Sequence, residues 1–452
     1  MRPGLVSRPV SDGRGDPGHQ NPRLIVHRSA HQIGGNCIEI TFQGHRLILD
    51  AGSPLDGKPE DGDSAPATLD TSTPVDGVIV SHPHQDHYGL LRGLPESWPV
   101  WCGGPTEKLM RLTAALTGGS LPQGVHTFDS FNPFRVEPFK VTPLLTYHSA
   151  FDAHMVLVEV GGRRILYSGD FRRTERKSKL VDRMIKAPPK NVDVLLLEGT
   201  TLGRAEAFPT EREIEERFKA AFRRTPGRVF VAWSAQNIGR TVTIYRACKQ
   251  TGRTLLVDLY TVDVLEQLGA YYDSLPQMGW PNLRGVVVTS GIKRLYETPD
   301  RLNRPEFFER CCASGHAFSA SKIESGPRNN VVMLRPSLPR DYARKGLALT
   351  KDDCLVFSMW SGYLGESDYL AVRDAFDKPG AGFEQIHSSG HASRADLQAF
   401  ASSINAKHLV PIHSFDWDQH LDGFENVTRL RDGEVFNLSQ ELAAKEVVHD
   451  GY

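Results

Sequence analysis

The chain lacks an excess of charge of either sign. Its 452 residues carry 53 Lys and Arg against 54 Asp and Glu, so no global basic field marks it as a nucleic-acid binder, and only local basic patches could serve that purpose. Cysteine is scarce. Cys37, Cys102, Cys248, Cys311, Cys312 and Cys354 are scattered, with no CxxC pair and no dense framework. That usage fits a reducing compartment with free, mostly buried thiols. No apolar run approaches about 20 residues, which excludes an ordinary membrane-spanning helix. The N-terminal stretch MRPGLVSRPVSDGRGDPGHQNPR has no apolar core of the kind a secretory signal needs, and its Gly, Pro and Arg content predicts a disordered tail. The composition is that of a cytoplasmic protein without a membrane partner. Its length is too great for one ordinary core and predicts two or three domains.

Histidine, by contrast, is concentrated. The segment SHPHQDHYGL places His82, His84, Asp86 and His87 within six positions, directly after the β-branched run Gly77-Val78-Ile79-Val80. That run predicts a buried strand, so the cluster sits where a strand gives way to a loop, a usual place for chemistry on a rigid scaffold. Imidazole and carboxylate ligands suit zinc where thiolates are absent. A surface histidine tract or a tag is the bland alternative, but the segment is internal and heterogeneous. Strand and loop geometry splits the four groups more naturally between two ions, with His82 and His84 facing one way and Asp86 and His87 the other. Each ion then needs further ligands, and His148, Asp170 and His413 are candidates, each next to a predicted strand. A carboxylate such as Asp170 can bridge two ions.

Paired strands are predicted from Leu24 to Gly52, then at MVLVEV and RILYSGD around a Gly161-Gly162 turn, and at Val192 to Leu197. Together they suggest a mostly antiparallel sheet system. The texture changes after about Leu202. Thr210 and Glu213 form a capping box ahead of the amphipathic run to Arg224, and strand-helix alternation follows to about Ser358, the signature of a parallel α/β unit. The expected organisation is a tail at 1–22, a first domain at 23–204 that resumes at 366–452, and an inserted α/β domain at 205–365.

On these residues the sequence resembles the metallo-β-lactamase superfamily, and more narrowly its β-CASP branch of ribonuclease J-type nucleases. Asp50 of RLILDAG matches the first motif, His82, His84, Asp86 and His87 the second, His148 the third and Asp170 of YSGDF the fourth. Glu198 of LLLEGTT, His391 of HSSGHAS and His413 of VPIHS match the three β-CASP additions. The resemblance implies an α/β fold, a metallo-β-lactamase αββα sandwich with an inserted parallel β-CASP domain. It implies a two-zinc centre, with manganese as the alternative metal, that hydrolyses phosphodiester bonds in RNA, by exo- or endonuclease action. It also allows a homo-oligomer.

His82, His84 and His148 would hold one ion, and Asp86, His87 and His413 the other, with Asp170 bridging. Asp86, His391 and Glu198 carry the catalytic roles, and Asp50 supports a ligand histidine from behind. Ser389 and His391 would touch substrate. Ser234, Asn237 and Arg240 of VAWSAQNIGRT match a phosphate-contacting stretch, and a helix start there could bind an anion through its free N–H groups. An ordinary helix cap is the bland alternative. The run from Arg172 to Lys177 could follow an RNA backbone or be a solvated face. Ser-Gly-His-Ala occurs twice, and only the copy at His391 precedes a capped helix and the strand carrying His413, so His316 is expected to be a surface or interdomain residue. His154 is expected to be a satisfied side chain. A DNA nuclease of the same branch is the runner-up, ahead of a small-molecule metallo-hydrolase. A binding module that has lost catalysis is disfavoured because no motif residue is missing.

Overall fold

The computed structural model describes residues 21–55, 64–122, 124–174, 179–204, 208–287, 290–299 and 301–439. Most of the expected N-terminal tail, and Glu175 to Lys177 of the basic run, lie outside these residues. Two sheets stack face to face. The first runs in the order Val435–Asn437, Arg23–Arg28, Cys37–Phe42, His45–Leu49, Gly77–Ile79, Val100–Gly103, Val125–Phe128. The second runs His408–Pro411, Val194–Leu197, Arg163–Tyr167, His154–Val160, Phe139–Leu145, Phe134–Val136.

The period-2 pattern of the strands explains the stacking. Ile38, Ile40, Leu47 and Leu49 point inward and meet Val156, Val158, Ile165 and Val194 of the opposite sheet. The alternate residues Ile48, Val78 and Val80 face outward and pack on Leu90, Trp98 and Met110. On the far side, Leu166, Leu195 and Leu197 pack on Val181 of helix Lys179–Lys186 and on Leu397 and Phe400 of helix Arg394–Ile404. The result is an αββα sandwich.

The expected mostly antiparallel character holds among the described residues, with six antiparallel strand pairs in these two sheets against five parallel ones. Strands His45–Leu49, Gly77–Ile79, Val100–Gly103 and Val125–Phe128 pair in parallel, and Val194–Leu197 is parallel to both its neighbours. The hairpins, such as that at Gly161-Gly162, are antiparallel by local necessity, and Arg23–Arg28 also pairs antiparallel with the distant Val435–Asn437. The long crossovers between the other strands return the chain in the same direction, which local alternation cannot reveal. This has a functional consequence. Asp50, Ser81 to His87, Asp170, Glu198 and His413 each follow the C-terminal end of a parallel-paired strand, so they converge on one rim of the sandwich.

A third sheet, parallel throughout, runs Ala317–Phe318, Leu283–Val286, Thr254–Asp258, Asn330–Leu334, Val229–Ala232, Cys354–Phe357, Gly382–Gln385. Val231, Val257 and Met333 pack on one face against Phe218, Ile244 and Leu265, and Phe230, Leu256 and Val332 on the other against Ile323, Tyr342 and Phe376. The sheet takes in Gly382–Gln385, beyond residue 365, because that strand completes the pairing of Cys354–Phe357. The capping box is present: Thr210 Oγ1 accepts from Glu213 N at 3.3 Å, and Thr210 N donates to Glu213 at 2.7 Å.

Candidate metal centre

The turn from Ser81 to His87 folds back over the end of strand His45–Leu49. Asn36 N donates to Asp86 O at 3.0 Å, and Ala51 N donates to His87 O at 2.8 Å. Gly52 makes this approach feasible, since a Cβ there would lie 1.7 Å from Asp86 O. The turn aims its side chains in two directions, as the spacing suggested. His82, His84 and His148 form one group whose ligand atoms lie within 4.8 Å of one another, and Asp86, His87, Asp170 and His413 form a second. Asp170 stands between them. Its carboxylate lies 3.7 Å from His82, 3.2 Å from His87, 3.8 Å from His148, 3.6 Å from His413 and 3.8 Å from His391.

Metal fits these residues on two observations. His82 Nε2 and Asp170 Oδ1 are buried without a hydrogen-bond partner, an arrangement a cation would satisfy. The protonation states agree. Burial, reinforced by neighbouring imidazoles, holds His82 and His148 well below the usual histidine range and His84 at about 4, which keeps these imidazoles in the neutral, ligating form. Burial alone would raise Asp170, but His413, His87 and His391 outweigh it and hold the carboxyl well below its usual range. Burial likewise opposes charge on His87, yet Asp170, Asp86 and Asp50 together raise it well above an ordinary histidine. Three carboxylates around one imidazole create a field that suits a dication.

The supporting groups are equally defined. Asp50, fully buried, accepts from His87 Nδ1 at 2.7 Å, from Ser81 N and Oγ at 2.7 Å, and from the Tyr167 hydroxyl at 2.5 Å. His148 Nδ1 donates to Gly390 O at 2.6 Å, and His413 Nδ1 meets Thr200 Oγ1 at 2.8 Å. Such bonds fix tautomer and ring orientation. Asp50 and His413 both have positive φ, +58° and +54°, a conformation that non-glycine residues hold only where surrounding bonds over-determine it. His391 lies beside the first group, its ring centroid 4.7 Å from that of His148. Its Nδ1 is 3.1 Å from Glu198 Oε2, and its N bonds Ser389 Oγ at 3.1 Å. A Cβ on Gly390 would lie 2.6 Å from Ser149 Oγ, so the Ser-Gly-His loop reaches the centre only because that residue is glycine. Burial works against the charged form of His391, but Glu198 and Asp170 raise it.

Sequence reasoning overlooked Tyr167, Ser81 and Thr200. Each reads locally as an ordinary strand or loop residue, and only the fold shows it holding Asp50 or His413.

The phosphate stretch is not assembled as expected. Arg240 is fully buried. Its Nη2 donates to Glu211 at 2.8 Å, while its Nη1 bonds Ser358 Oγ and Ile386 O. It therefore does not face an incoming anion. Asn237 is a helix cap, its Oδ1 accepting from Arg240 N at 3.0 Å. Ser234 alone is exposed. Of the basic run, only Arg172 to Thr174 are described. Arg172 is buried, donating to Ser389 O at 2.9 Å, and Arg173 pairs with Asp182 and Asp396. His154 is buried with its Nε2 on Ser130 Oγ at 2.8 Å. His316 lies beside the edge strand Ala317–Phe318 of the third sheet.

Comparison with known proteins agrees with this geometry. Residues 32–207 match the metallo-beta-lactamase superfamily, and residues 380–415, which include His391 and His413, match a Zn-dependent metallo-hydrolase RNA specificity domain. A ribonuclease J of Sinorhizobium meliloti is 23% identical over 394 residues, covering 80% of this chain and 63% of the relative. An RNase J-like protein of Methanocaldococcus jannaschii is 26% identical over 284 residues, covering 58% and 64%. A ribonuclease J of Thermus thermophilus is 21% identical over 488 residues, covering 98% and 78%. The chain thus spans under two thirds of the first two. A crystal structure of a protein of unknown function from Enterococcus faecalis shares the fold, with a TM-score of 0.71 and 17% identity over 92% of this chain and 100% of that one. Among the described residues, no helix is long and apolar enough to cross a membrane.

Proposed function

We propose, on the premise that the chain belongs to the metallo-β-lactamase superfamily in a ribonuclease J-like, β-CASP form, that it is a metal-dependent hydrolase of RNA phosphodiester bonds. One observation carries this reading: a group of three imidazoles lies beside a second group of imidazoles and carboxylates, whose Asp170 is shared with the His391–Glu198 pair. The match to an RNA specificity domain over the segment holding His391 favours RNA over DNA.

His82, His84 and His148 would hold one divalent ion, and Asp86, His87 and His413 the other, with Asp170 between them. Zinc is the expected metal and manganese the alternative. When bound, such ions stabilise charge on phosphoryl oxygens and make water acidic enough to ionise near neutral pH. The protein groups do the rest. Glu198 accepts a hydrogen bond from His391 Nδ1 and favours the imidazolium, whose Nε2–H can then donate to a phosphoryl oxygen or protonate the departing 3′-oxygen. Ser389 holds the loop that presents this imidazole.

The reading is tested with protein purified without chelator. Elemental analysis should find two divalent ions per chain, one for each group. With zinc or manganese, 5′-labelled RNA should be cleaved faster than DNA of the same sequence. Mononucleotide products would indicate exonuclease action, and internal fragments endonuclease action. Equal or faster cleavage of DNA would favour the DNA-nuclease alternative, and hydrolysis of small esters alone would favour the small-molecule one. A folded protein that binds no metal would overturn the mechanism.

A further inference from the structure

One face of the third sheet carries a cavity of about 580 Å³, and none of its lining residues belongs to the metal centre. Phe230 and Leu334 of the sheet form its floor, and helices Leu338–Arg344 and Ser367–Asp377 form its sides. Protein interiors are closely packed and seldom leave room of this size. The sequence explains it here. Ala343, Ala348, Ala371 and Ala375 line the space, where longer side chains would fill it. Ala371 and Ala375 are one helical turn apart and share a helix face. Pro336, Pro339 and Pro379 also line it, and their fixed φ stiffens the rim against collapse. The volume falls within the roughly 300–1,000 Å³ of small-molecule pockets.

The lining has a deep apolar part and a charged edge. Phe230, Leu334, Val372 and Phe376 are at most 3% exposed. Apart from the Tyr342 hydroxyl, Arg340 and Lys378, every lining side chain is apolar. A peptide inserted here would bury backbone N–H and C=O groups with almost no side chain to bond them, at high cost. An alkyl chain carries no such groups. Arg340 belongs to one flanking helix and Lys378 directly follows the other, and both are exposed. Among the described residues no carboxylate lines the cavity, and Arg340 has no ion-pair partner. Lys378 pairs with Asp374 at 2.7 Å, but both side chains are mostly exposed, and such a pair is weakly held. An apolar interior with two cations at its edge matches an amphiphilic anion.

We propose that this cavity binds a free medium-chain fatty-acid-like monoanion. Its alkyl chain lies between the two helices against Phe230 and Phe376, and its carboxylate meets Arg340 and Lys378. The site is separate from the metal centre and does not rest on the nuclease reading. The chain contributes more affinity than the head, because apolar burial accrues with each methylene while an exposed ion pair adds little.

Isothermal titration calorimetry of the full chain with hexanoate, octanoate and decanoate, each kept below its micelle concentration, reads the site directly. A single molecule should bind per chain, and each added methylene should tighten Kd by about fourfold. Arg340→Gln and Lys378→Gln, both at exposed positions, should each weaken decanoate by about twofold to fivefold at low salt and leave decanol unchanged. Ala375→Phe, which fills the space, should abolish binding of acid and alcohol alike, with its melting temperature and metal content showing that it is folded. Absence of saturable binding across the series, or wild-type affinity in a folded Ala375→Phe, would overturn the site. Equal affinity for decanoate in wild type and both charge variants would overturn its anionic assignment. Phosphatidylglycerol vesicles distinguish the source of the chain. A free-acid site leaves the protein unbound to them, and vesicle binding abolished by Ala375→Phe would overturn that assignment in favour of a membrane lipid.

Discussion

Replacing Arg240 by alanine separates two roles that the sequence could not distinguish. A guanidinium that served only to contact substrate would be dispensable to folding. The observed one is fully buried and bonded to Glu211, Ser358 and the carbonyl of Ile386. Its removal leaves the buried Glu211 carboxylate with the Thr243 hydroxyl at 2.7 Å and the more distant Arg172 at 3.7 Å. Breaking a buried pair from one side typically costs about 3–5 kcal/mol, mostly the penalty of the charge left behind. For a unit of roughly 150–250 residues, each kcal/mol lowers Tm by about 2–4 °C, so Arg240→Ala should melt roughly 6–20 °C below wild type. Arg240→Lys should recover little, because one ammonium cannot reproduce the guanidinium fork. Urea and thermal unfolding read the effect directly, and the double variant Arg240→Met with Glu211→Leu should be more stable than either single change. A melting temperature within a degree of wild type for Arg240→Ala would refute the buried-pair account and return this residue to the substrate surface.

Three further outcomes follow from the site and its scaffold. Asp50→Asn keeps a residue that tolerates positive φ but loses the charge-assisted bond to His87. It should weaken metal binding about tenfold to a hundredfold in a chelator competition, and unchanged affinity would remove Asp50 from its supporting role. His391→Ala should lower RNA cleavage by about 10²–10⁴-fold with metal content unchanged, while His316→Ala cleaves like wild type; an exchange of these behaviours would reverse the assignment of the twin motifs. Glu39 is buried against Arg46, at 2.7 Å, and His27, at 2.8 Å. Burial raises its pKa, but the bonds from His27 and Arg46 outweigh this and bring it from 4.5 to about 2. The depressed value contributes about 3 kcal/mol of stability. It is present above pH 4.5 and lost as pH falls towards 2, so the advantage of wild type over Glu39→Gln in urea unfolding should shrink over that range, and a constant difference would contradict it.

What the amino-acid order determined unaided is local. His82, His84, Asp86 and His87 lie within one turn, and strand-to-loop geometry alone divides them into two pairs, so their split survives intact in the structure. The capping box of Thr210 and Glu213 and the hairpin at Gly161-Gly162 are legible for the same reason: their partners are neighbours in the chain. Asp50, His148, Asp170, Glu198, His391 and His413 were legible only as an ordered set of motifs, since nothing in their immediate surroundings says that they meet. Their convergence was decided by parallel pairing, which brings the C-terminal strand ends to one rim and which local alternation does not encode. The fate of the charged residues belonged wholly to tertiary structure. An arginine at a helix start reads the same whether it greets a phosphate or is buried with a glutamate. Arg240 found its partner 29 positions away in Glu211, because folding brought a carboxylate there that could not be buried without a cation.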